Sequence, residues 1–117
     1  MKLFLMRHGE AEPHVNDAQR PLSDHGRKDI QRVAAFVRAN RAIDVKTVFH
    51  SGKTRARETA EILSPCLTSA EPMQEHAHLS PDADPVIWKD LLVGERENLM
   101  LVGHLPHLGR LAALLLC

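Results

Sequence analysis

The chain lacks a charge excess, a disulfide framework and a long hydrophobic run. Fifteen basic residues balance fifteen acidic ones. A neutral chain has no global attraction for nucleic acid or for an anionic membrane surface, so neither is an expected partner and any anion site has to be local. Two cysteines, Cys66 and Cys117, are too few to staple a small fold, which fits a reducing, cytoplasmic setting. Before Arg7 the only apolar run is Leu3-Phe4-Leu5-Met6, far short of a secretory signal or a membrane span. Internal repeats and low-complexity segments are also lacking.

What is present suits one compact domain over residues 1–117. Hydrophobic residues make up 44% of the chain and charged residues 26%, a balance that supports a real core. Its last segment, RLAALLLC, is an apolar helical pattern that runs to the final residue. The expectation is either a helix that ends with the chain or a domain truncated at its C-terminus. Eight histidines remain to be placed.

Periodicity predicts an alternation of strands and helices. Residues 2–6 read as a buried strand, and Ser23 as the N-cap of a helix over 24–39 whose apolar side is Ile30, Val33, Ala34 and Val37. A strand over 46–50, a helix over 53–63 with Pro65 beyond it, and a short strand over 72–76 follow. Residues 85–93 are expected to be helical, 98–102 to be a strand, and Pro106 to open a last helix. This order implies an α/β layered fold with a mostly parallel central sheet flanked by helices. Ligands of such sheets bind beyond the carboxyl ends of the strands. Arg7-His8-Gly9, Ser51 through Arg55, and Gly103-His104 occupy those positions.

The residues there suit a phosphate. Arg7 and Arg55 supply planar, multi-donor guanidiniums that match phosphate oxygens. Arg55 falls in the first turn of a helix, where free N–H groups and the dipole favour an anion. The two cations repel a metal ion. Phosphoryl transfer needs an in-line nucleophile and charge stabilisation on the equatorial oxygens. A neutral imidazole serves as nucleophile, and neighbouring arginines keep it neutral. Gly9 permits close backbone approach, and a second histidine can donate to the phosphoryl group in the transition state.

Four segments together carry a family resemblance. LMRHGEAE (5–12), RPLSDHGRKDI (20–30), SGKTRARETAEIL (51–63) and LVGHLPHL (101–108) resemble, in order and spacing, the signatures of the histidine phosphatase superfamily. The compact length resembles its phosphohistidine phosphatases of SixA type. The resemblance implies a phosphoglycerate mutase-like fold and a phosphatase that works through a covalent phosphohistidine. It makes His8 the nucleophile and Arg7, Arg55 and His104 the phosphate pocket, with Gly9 and Ser51 beside the substrate, and it implies no metal and no organic cofactor. The family's acid–base helper is a Glu after the third strand or an Asp after the second histidine. Here those places hold Pro81 and Leu105, with Asp82 and Asp84 as the nearest substitutes. A missing acid favours a leaving group that departs with little help, hence a phosphohistidine on a signalling protein as the expected partner.

Other readings stand beside this one. The site also fits a phosphatase or mutase for small phosphate esters, or a non-catalytic phosphate-binding module. Ser51 reads equally as a turn or cap residue, and Asp82 and Asp84 as turn and cap residues. His76 and His78 read as solvated surface residues, and His14 and His25 as loop residues. Zinc on His104 and His107 would need a third ligand that the sequence does not name. Trp88 reads as core or rim packing.

Overall fold

The computed structural model describes residues 1–40 and 43–116. Cys117, and with it the end of the last segment, lies outside the described residues. Four parallel strands form the central sheet. They are β1 (Leu3–Arg7), β3 (Thr47–His50), β5 (Gln74–Glu75) and β6 (Leu99–Gly103), in the spatial order β1-β6-β3-β5. Two dipeptides, β2 (Asp44–Val45) and β4 (Thr68–Ser69), pair in a separate parallel ribbon. The helices are α1 (Asp24–Ala39), α2 (Thr54–Leu63), α3 (Pro85–Leu92) and α4 (His107–Leu116), with short 3-10 turns at 17–19, 64–66 and 77–79.

The sheet has two buried faces. β6 lies between β1 and β3 and is buried along its whole length, as expected of a continuous apolar run in a parallel sheet. Its side chains alternate. Met100 and Val102 join Val48 of β3 and the inner sides of α1 and α2. Leu99 and Leu101 join Trp88 and Leu92 of α3 and Leu111 of α4. The chain thus leaves β1 and β3 toward one face and β6 toward the other. Adjacent strands whose connections part in this way open a crevice at their carboxyl ends.

The expected elements form, with local differences. The Ser23 side chain accepts from Gly26 N at 2.9 Å and caps α1, which spans the expected residues. Its buried contacts come from Ile30 and Ala34, whereas Val33 is exposed, because a stripe at i and i+4 already fills the space against α2. His25 belongs to the first turn of α1, where it pairs with Asp29 at 3.2 Å, rather than to a loop. The last helix begins at His107, just past Pro106. Trp88 is core, 2% exposed.

Candidate active site

Strand register brings the two key histidines together. β1 and β6 pair in parallel with Arg7 opposite Gly103. His8 N then donates to Gly103 O at 3.0 Å, so the ladder extends one residue beyond the strand. His8 and His104 leave neighbouring strands at the same level, and their ring centroids lie 4.9 Å apart. That separation is close to the spacing of adjacent strands, about 4.8 Å. The third strand end adds Ser51, whose Oγ lies 2.6 Å from His104 Nε2.

The His8 ring is oriented by its own neighbour. Its Nδ1 lies 2.6 Å from the carbonyl oxygen of Gly9, a contact that requires the proton on Nδ1 and leaves Nε2 with a free lone pair. Gly9 is held in turn. Its N–H donates to Thr59 Oγ1 at 3.1 Å, and the Thr59 hydroxyl donates to Arg55 O at 2.7 Å. A Cβ on Gly9 would lie 2.9 Å from Ile30 Cγ1 and 3.1 Å from Gly26 O. Only glycine lets the loop that carries His8 rest this closely on α1.

Arg55 rises from the first turn of α2 and is buried, 5% exposed. Its Nη1 donates to Asp17 O at 2.8 Å and its Nη2 to Asp17 Oδ2 at 3.3 Å. Lys53 Nζ donates to the same carboxylate oxygen at 3.2 Å. Arg20 pairs with Asp17 Oδ1 at 3.5 Å and donates to Glu12 O at 3.0 Å. Arg7 is exposed, and its charge is felt at His8.

Both histidines are held neutral. Burial pushes the His8 pKa below its usual 6.5, and the charges of Arg55, Arg7 and Arg20 add to the effect against the opposing Gly9 bond. Burial, then His8, Arg55 and Lys53, take His104 down to about 3, while Asp17 opposes. Desolvation and like charge act in the same direction here. His104 Nδ1 is buried without a hydrogen-bond partner.

The suggested proton donors have cap and turn roles in the structure. Asp84 Oδ1 accepts from Val86 N at 3.0 Å and caps α3. Asp82 lies in the turn ahead of that helix. The charge of the Asp17 carboxylate is felt at His104. Sequence reasoning missed Asp17, Lys53, Arg20 and Thr59. Lys53 and Arg20 lay inside quoted motifs, but Asp17 sits in an aperiodic polar segment with no signal of its own. His76 is half-buried and stacks on Trp88 at 4.6 Å, with Phe49 at 5.8 Å, instead of being solvated. His78 is exposed. His107 is fully buried, with neither ring nitrogen hydrogen-bonded.

These residues bring two neutral imidazoles and a buried guanidinium together at the strand ends, and known proteins share the fold that places them. Residues 3–80 match the family model of the histidine phosphatase superfamily, branch 1. No curated protein matches. Among solved structures, the protein histidine phosphatase SixA complexed with tungstate superposes with a TM-score of 0.84 at 27% identity, over 97% of this chain and 75% of that one. A candidate phosphohistidine phosphatase SixA from Nakamurella multipartitia gives 0.75 at 24%, over 93% of this chain and 62% of that one. Phosphoserine phosphatase from Entamoeba histolytica, in complex with 3-phosphoglyceric acid, gives 0.63 at 17%, over 96% and 77%. The last two likenesses bear on fold alone. The family model spans well over half of the sequence, and on that match the chain belongs to the histidine phosphatase superfamily, branch 1.

Proposed function

We propose that the protein is a phosphatase that takes its phosphoryl group from a phosphohistidine on a partner protein and carries it on His8. The observation that bears most weight is the close, tilted pair of neutral imidazoles beside a buried guanidinium, with Nδ1 of His8 tied back to Gly9. His8 Nε2 attacks phosphorus in line, and the P–N bond to the leaving imidazole breaks as the new P–N bond forms. Arg7 and Arg55 neutralise the equatorial oxygens, and His104, steadied by Ser51, hydrogen-bonds to them in the transition state. Water then attacks phospho-His8 and releases inorganic phosphate.

The acid–base character of the site supports a P–N substrate. Asp17 is the carboxylate nearest in effect, and its hydrogen bond from Lys53 and the charge of Arg55 hold it below the usual carboxylate range. It is therefore ionised at neutral pH and has no proton to give. An alkoxide, whose conjugate acid has a pKa near that of water, about 15.7, needs a proton to leave. A histidine, with a pKa of about 6.5, needs far less. Exchange of one P–N bond for another is also close to balanced in energy.

The test has two parts. A phosphohistidine-bearing protein with labelled phosphate should label the wild-type enzyme, and His8→Ala should abolish that label. Hydrolysis of the same protein should exceed that of small phosphate monoesters at equal concentration. Preference for the monoesters would reassign the substrate, and equal labelling of the mutant would remove His8 from the role.

A further inference from the structure

We propose that Asp17 is a built-in surrogate for the substrate's phosphate, and that Lys53 is a further cation of the phosphate site, which this carboxylate occupies until substrate displaces it. The inference rests on reading the crevice as an anion site and goes further by naming what fills it at rest.

A single oxygen, Asp17 Oδ2, receives both Lys53 Nζ at 3.2 Å and Arg55 Nη2 at 3.3 Å. Those two donors come from the start of α2, where a phosphate is also favoured. The pairing is lopsided in exposure. The Arg55 side chain is 6% exposed, whereas that of Asp17 is 59% exposed. A buried cation is thus neutralised by a group standing largely in water, which an incoming anion can replace without leaving the cation unpaired. The remaining geometry allows it to leave alone. Arg55 Nη1 is held by the Asp17 carbonyl, not by its carboxylate. The turn at 17–19 is capped by the Asn16 side chain, and Glu12 N donates to Pro21 O at its base. The backbone can therefore stay while the side chain swings. The charges of Lys53 and Asp17 are both felt at His104, which ties this pair to the proposed site. A phosphate dianion carries twice the carboxylate's charge and three acceptor oxygens, and it displaces Asp17 by binding the same donors.

Tungstate binding by titration calorimetry tests this directly. Asp17→Asn keeps the shape and removes the charge, and it should tighten tungstate binding by about threefold to tenfold, the worth of two ion pairs made by a largely exposed carboxylate. Lys53→Gln should weaken binding by a similar factor, in the wild-type and in the Asp17→Asn background alike. Thermal melting of each variant checks that the fold is kept. Unchanged or weaker binding in Asp17→Asn would make the residue a positioner of Arg55 and overturn the surrogate. Unchanged binding in Lys53→Gln would remove that lysine from the site. Failure of the phosphatase reading would look different: tungstate would bind as described, yet no phosphoenzyme would accumulate.

Discussion

His104 is 1% exposed, carries a pKa of about 3 and touches Ser51 through Nε2. Together with the lowered value at His8, this gives the proposed reaction a defined pH behaviour. A nucleophile whose pKa lies below 6.5 stays unprotonated as pH falls through 6.5. The acid limb of kcat/KM, corrected for ionisation of the substrate, should therefore lie below 6.5, and a pH–rate profile checks it. Thr59 is the other residue with a sharp expectation. It is fully buried and joins Gly9 N to the carbonyl of Arg55. Thr59→Val preserves shape and strands the Gly9 donor, at a cost of about 1–3 kcal/mol. Denaturant unfolding reads the stability loss, and a larger loss in kcat than in KM would show that the His8 loop has shifted.

Among the elements, α1 shows how local chemistry sets a boundary. Ser23→Ala removes the bond to Gly26 N and should cost about 1 kcal/mol in a urea melt. Gly26 itself lies under the Glu10 backbone, where a Cβ would meet Glu10 N at 2.8 Å. Gly26→Ala forces that segment to shift, with an expected loss of about 1–3 kcal/mol. Caps and periodicity are carried by neighbouring residues, so α1 was legible to the residue, and α2, α3 and β6 nearly so. The ribbon of β2 and β4 was not, because two-residue strands have no period to read. The same division runs through the site. Arg7 ends β1, His8 and His104 follow strand ends and Arg55 opens a helix, places to which the fold class itself directs attention. Asp17 meets Lys53 and Arg55 only through tertiary folding, across 36 and 38 residues of sequence. The stacking of His76 on Trp88 likewise depends on how the turn at 77–79 and α3 sit on the sheet.

The whole molecule stores several neutral imidazoles. His50, His104 and His107 are all buried, and burial lowers each pKa. Below pH 6.5 the unfolded chain protonates these rings and the folded chain does not. The unfolded state then binds more protons, so stability is complete above 6.5 and declines as pH falls toward each folded value, which for His104 is about 3. Each such ring contributes a slope of about 1.4 kcal/mol per pH unit within its window. Melting temperature should fall steeply between neutral pH and mild acid, and His107→Leu should flatten that slope.

The central position of β6 has a consequence for the order in which the molecule comes apart. Its odd and even side chains anchor opposite cores, so neither helical layer can detach without exposing one side of it. Amide protons of Leu101 and Val102 should accordingly exchange with deuterated solvent only through complete opening. His104 is the next residue but one after Val102 and inherits that protection. Frayed ends and loosened outer turns would leave the two histidines in place, and the proposed activity would vanish only in the final cooperative step.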